Sequence, residues 1–117
     1  MHDAIIEGAD VPPVTLKEAQ ELVEQARGPK ITIDSITAKI AHHKYIFFGK
    51  LTICVMEMQN GFFVVGKAAP ASNANYNEAV GMRYAYEDAL RQLWPLEGYL
   101  LCENLYMKKA AADLMKR

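Results

Sequence analysis

A chain of 117 residues fits one domain and leaves no room for a second of ordinary size. Apolar residues make up 51% and charged residues 23%, which excludes a disordered chain and implies an ordered globule with a real core. Thirteen basic residues face 14 acidic ones, for a net charge of −1. That balance removes the basic excess on which duplex binding rests, so nonspecific nucleic-acid binding is disfavoured and no sequence-specific nucleic-acid partner is expected, although a local basic pocket for a small phosphorylated ligand remains open.

In chain order, residues 1–14 are polar and broken by Pro12-Pro13, and read as an irregular leader. A single α+β domain is expected over 15–117. Thr15 and Glu18 form a capping box, Leu16, Ala19, Leu22, Val23 and Ala26 follow at helical spacing, and Gly28-Pro29 stops the run. Thr32 can cap a second helix, whose face would carry Ile33, Ile36, Ile40 and Ala41 and which would end near His42-His43. Aromatic and β-branched residues then dominate Tyr45–Phe48, Leu51–Met58 and Gly61–Ala69, punctuated by Gly49-Lys50 and Asn60-Gly61. Asn-Gly between two such runs is a strong hairpin signal, since both turn positions must tolerate positive φ.

The expected sheet is a three-stranded antiparallel meander with apolar residues on both faces, so self-association into a homo-oligomer is expected to cover one of them. Asn75 and Glu78 mark the start of a third helix with a buried stripe of Ala79, Met82, Tyr86, Ala89, Leu90 and Leu93. Trp94-Pro95 would end it, and a last helix would run from Glu103 to about Met115. The predicted order is α-α-β-β-β-α-α.

Catalytic patterns are missing. There is no G-x-S-x-G, no phosphate-binding loop ending in G-K-[ST], no H-E-x-x-H and no C-x-x-C. His42 and His43 are adjacent and would diverge by about 100° on a helix, which argues against a shared metal. Glu57 stands alone on an apolar strand and reads as a strand-end residue rather than a general base. Neither a cofactor nor an enzymatic activity is expected. Cys54 and Cys102 read as buried reduced thiols. No run approaches the ~18 apolar residues of a membrane span, and the first residues lack the pattern of a secretory signal, so a cytoplasmic protein is expected.

What remains is a binding surface. Aromatic rings stack on bases, a loop rich in Asn and Ser supplies amides, and the start of the third helix followed by Arg83 favours an anion. Phe62, Phe63, Asn73, Asn75, Tyr76 and Arg83 are the candidate ligand contacts. A plainer reading stays open: the rings are core, Asn73 or Asn75 only caps a helix, and Arg83 only pairs with Glu87.

The strings Ile36-Thr37-Ala38-Lys39-Ile40-Ala41, Thr52-Ile53-Cys54, Asn60-Gly61-Phe62, Asn75-Tyr76-Asn77 and Leu93-Trp94-Pro95-Leu96-Glu97-Gly98-Tyr99-Leu100-Leu101 resemble a family of small tailed-phage proteins. It is known by gene-product numbers, the gene-product forty-nine/sixty-six family, and implies action inside an infected bacterial host. The hairpin followed by an Asn-rich loop also looks like the Thoeris anti-defence sponges of phages. That resemblance implies an oligomer that sequesters a cyclic nucleotide or cyclic ADP-ribose-type signal without cleaving it, with contacts from Phe62 or Phe63, Asn73 or Asn75, and Arg83. An early phage protein that binds and inhibits a host protein is the alternative expectation.

Overall fold

The structure, a computed structural model, describes residues 12–116. Most of the expected leader, His2 and the terminal Arg117 lie outside the described residues. The chain divides into two compact units at Lys30/Ile31.

The first unit holds one helix, α1 (Leu16–Gln25). The capping box forms as predicted: Glu18 N–H donates to Thr15 Oγ1 and Thr15 N–H donates to Glu18 Oε1, both at 3.1 Å. The bond from the Thr15 backbone holds the Glu18 carboxyl below its ordinary pKa. At the other end Lys30 Nζ donates to the carbonyls of Val23, Glu24 and Ala26, placing a cation on the orphan acceptors of the last turn. No residue of α1 is buried.

The second unit is an α+β fold: α2 (Ile33–Thr37), β1 (Ile40–Phe48), β2 (Leu51–Met58), β3 (Phe63–Ala68), a 3-10 turn at Asn73–Asn75, and α3 (Glu78–Met115). The strands form the expected antiparallel meander in the order β1-β2-β3. Gly49 takes the first central position of the β1–β2 turn at φ +57°, the placement of a type II′ hairpin. The β2–β3 turn works differently from expectation, because only Gly61 has positive φ, at +89°. Asn60 instead accepts the Phe62 N–H on its side-chain oxygen, and Gly61 N–H donates to the Met58 carbonyl.

Two helix boundaries move. The second helix stops at Thr37 rather than running to His42-His43, and Ile40 already pairs with Met58 in the sheet. The run from Tyr45 to Phe48 favours a strand, and Gln59 extends the pairing backwards by bonding the Lys39 carbonyl through its N–H and the Ala38 carbonyl through its side chain. The third and fourth predicted helices are one, 38 residues long, with Pro95 inside it. A proline removes the donor to the carbonyl four residues earlier, here Arg91. Arg91 and Pro95 are both exposed, so water can serve that carbonyl and the helix continues. Its N-cap is Asn77, which accepts from the Val80 N–H at 3.0 Å; Asn75 belongs to the preceding turn. Among the described residues no helix is long and apolar enough to cross a membrane.

Helix α3 lies on one face of the sheet, over β2 and β3. The core beneath it is Cys54, Met56, Met58 and Val64 against Ala85, Ala89, Leu90 and Leu93, with Ile36 of α2. Close approach depends on small residues. A Cβ on Gly66 would overlap the Ala85 carbonyl oxygen and the Ala89 backbone nitrogen, and one on Gly81 would stand 2.6 Å from Thr52 Oγ1. The buried stripe of the helix therefore runs through Ala85 and Ala89, while Ala79 of the predicted stripe is exposed. On the opposite face no element of this unit covers Ile46, Phe48, Phe63 and Val65, all of which are exposed.

Candidate ligand-binding clefts

The six residues expected to meet a ligand do not converge within one chain. Phe62 sits in the β2–β3 turn. Phe63 is the first residue of β3 and alternates with buried Val64 and Gly66, so its ring stands on the face away from α3. Asn73 and Asn75 form the 3-10 turn beyond the other end of β3, roughly 20 Å along the strand. That loop is tied to the β1–β2 turn, where Lys50 Nζ donates to the Ala71 carbonyl at 2.8 Å. Tyr76 follows, with its N–H on the Asn73 carbonyl. Arg83 lies further on, in the second turn of α3.

Arg83 has neighbours that the sequence pattern did not assign to it. His43 and Tyr45 of β1 and Tyr86 of α3 line an open cleft of about 330 Å³ with it. The cleft adjoins a second of about 420 Å³, lined by His43, Tyr86, Thr37, Ile40, Ala41 and His42. The His43 ring stands edge-on to Tyr45 at 5.5 Å between centroids and tilted against Tyr86 at 5.1 Å. The Arg83 guanidinium carbon is 5.7 Å from the centre of the Tyr86 ring, within cation–π range, and its Nη1 donates to Glu87 at 2.8 Å. Burial raises the pKa of the Tyr45 phenol above its ordinary value.

Strand geometry builds this site. Successive side chains on a strand point to opposite faces, so His43, Tyr45 and Phe47 share the α3 side while His42 and Lys44 share the other. Placing the two histidines on a strand, not a helix, separates them by about 180° instead of 100°. His42 Nε2 is 3.2 Å from Glu57 Oε1, its cross-strand partner on the far face. Glu57 is thus a sheet-face partner rather than a group in the cleft. The missed signal was the period: read at two instead of 3.6, His43, Tyr45 and Phe47 fall in one row, and the irregularity at Ala41 lets Ile40 pair with Met58 on the same face.

A third opening, about 430 Å³, lies between the β2–β3 turn and α3. Met58, Phe62, Leu93, Leu96 and Leu100 make it apolar, and the Lys39–Glu97 ion pair, at 2.8 Å, closes one wall. Among the described residues no three His, Cys, Asp or Glu side chains cluster as metal ligands would. Cys54 is buried as expected, and burial pushes its thiol pKa up. Cys102 is exposed, contrary to expectation, because the helix carrying it runs on beyond the strands it covers.

A meander with one long helix over one face, and with open clefts along that helix, defines a small α+β protein. The chain belongs to the family described as phage protein (N4 Gp49/phage Sf6 gene 66), whose model matches residues 31–105. The match begins where the second unit begins. Neither a curated protein nor a solved structure matches the chain.

Proposed function

We propose that this phage protein is a binding protein that captures a small aromatic anion, a cyclic nucleotide or cyclic ADP-ribose-type signalling molecule, and holds it without cleaving it. The observation that carries this reading is the grouping of His43, Tyr45, Arg83 and Tyr86 in one cleft. Tyrosine rings offer a stacking surface for a base, worth about 1–3 kcal/mol per base. Arg83 keeps donors beyond the one engaged by Glu87, and a guanidinium meets phosphate with two parallel bonds. The lining around Arg83 is the rings of His43, Tyr45 and Tyr86, which suits holding a planar base beside a phosphate.

Of the residues expected from sequence, Arg83 stays in this reading. Phe63 cannot join it within one chain, since the sheet stands between them. Phe62, Asn73, Asn75 and Tyr76 belong to other parts of the fold and do not line this cleft.

Isothermal titration with cyclic nucleotides and cyclic ADP-ribose isomers tests the proposal. Arg83→Ala should weaken capture at least tenfold, and the ligand recovered after heat denaturation should be intact by mass spectrometry. Absence of heat with every member of the panel would sink the reading, and a hydrolysed product would turn it into an enzyme. The apolar groove at Phe62, Leu96 and Leu100 favours the alternative, a phage protein that docks on a host protein through that surface. Phe62→Asp should then abolish a stoichiometric host complex while leaving nucleotide binding unchanged.

A further inference from the structure

The two edges of the sheet are treated differently by the rest of the fold. On β3 the ladder turns Val65 and Lys67 outward, and both are engaged: Gln92 Nε2 donates to the Val65 carbonyl at 2.7 Å, and Lys67 N–H donates to Asp88 Oδ2 at 2.9 Å. Those side chains come from α3 and close the edge against another strand. On β1 the two-residue turn closes on Phe48 and Leu51, so the alternation of an antiparallel ladder turns the backbone groups of His43, Tyr45 and Phe47 outward. No side chain of the described residues bonds to them. β1 is also the longest strand, nine residues without proline, and α3 covers its near face only in part.

We infer that β1 is a strand-addition edge whose occupant is β1 of a second copy, paired antiparallel about a two-fold axis at Tyr45. That register sets Tyr45 against Tyr45 and His43 against Phe47, and it places Lys44 opposite Ile46, where centring on Lys44 would oppose two like charges. About six backbone hydrogen bonds form, and the sheet becomes six-stranded. With strands about 4.8 Å apart, the two α3 helices stand roughly 20 Å apart on one face. Allowing for a helix diameter of about 10 Å, a trough about 10 Å wide remains between them. Its floor is His43, Tyr45 and Phe47 of both copies, so each cleft gains a second set of rings from the partner. The pairing stands on backbone geometry and holds whatever the cleft binds.

Light scattering on the ligand-free chain should give twice its 13.1 kDa mass, or an even multiple. Phe47→Pro removes an outward N–H that the β1–β2 ladder does not use and should yield a folded monomer. Val65→Lys charges the exposed sheet face and should leave the dimer intact. A monomeric parent overturns the inference, as does a dimer that survives Phe47→Pro in a folded chain or that only Val65→Lys breaks. If Phe47→Pro does not fold, Tyr45→Cys in a Cys54→Ala, Cys102→Ser background decides, since Cys54 lies directly across the ladder from Tyr45 and would otherwise capture the new thiol within one chain. Opposed Cα atoms about 5.5 Å apart allow a disulfide, so a covalent dimer on mild oxidation supports the register and its absence overturns it. No ligand enters these measurements, and their outcome is separate from that of the titration.

Discussion

Gly66→Ala adds one methyl group where the sheet and the long helix come closest. The new Cβ would overlap the Ala85 carbonyl oxygen and the Ala89 nitrogen and stand 3.0 Å from Ala89 Cα. All three are backbone atoms of α3, so no side chain can rotate away. The helix must lift by roughly 1 Å, and a close-packed interior does not absorb such a step locally. Lifting opens the contacts of Ala85, Ala89, Leu90 and Leu93 with Cys54, Met56 and Val64, which make up most of the core. Overpacking costs about 1–3 kcal/mol when side chains can adjust, and a backbone clash belongs at the top of that range, so the expected loss is about 3 kcal/mol. For a unit of this size that lowers the melting temperature by roughly 12–24 °C. Thermal unfolding followed by circular dichroism reads it directly. A loss under about 1 kcal/mol would show that α3 does not seat on Gly66, and would refute a core built on that close approach.

Thr52 is fully buried and its hydroxyl has no hydrogen-bond partner among the described residues, so Thr52→Val should raise stability by about 1 kcal/mol in urea unfolding; a loss would mean that the hydroxyl is bonded. Pro95→Ala restores a donor to the Arg91 carbonyl within α3 and should stabilise the helix by about 1–3 kcal/mol, with slower amide exchange around residues 91–99. Unchanged exchange there would contradict the placement of Pro95 in a continuous helix. In the native protein a maleimide should modify Cys102 and spare Cys54, whose thiol is buried and held protonated; mass spectrometry showing both modified would refute the enclosed position of Cys54.

The elements most legible in the sequence were those with a local chemical cause. Thr15 with Glu18 fixed the start of α1 through a reciprocal cap, and the Gly49-Lys50 and Asn60-Gly61 pairs located both turns of the meander. The boundaries that moved depended on partners distant in the chain. Ile40 and Ala41 match a helical stripe as well as a strand, and pairing of Ile40 with Met58 decides between them. Trp94-Pro95 breaks a helix locally, yet buried Leu90 and Leu93 before it and the Lys39–Glu97 pair after it hold both halves to the same sheet. For the site, Arg83 and the aromatic supply were readable as residue types. Their grouping was not, because His43 and Arg83 are 40 positions apart and meet only once the strand register is set.

That register links the core to the cleft. Helix α3 can approach the sheet only where side chains are absent or small, and those positions, Gly66 and Thr52 opposite Ala85, Ala89 and Gly81, lie on β3 and β2. β1 presents His43, Tyr45 and Phe47 on the same face, and these bulky groups keep the helix from moving over it. The closest packing therefore lies to one side, and the rings of β1 remain beside the helix instead of beneath it. Substitutions that fill the seam at Gly66 should consequently disturb the cleft at Tyr86 and Arg83 as well as the core, since the same helix carries both.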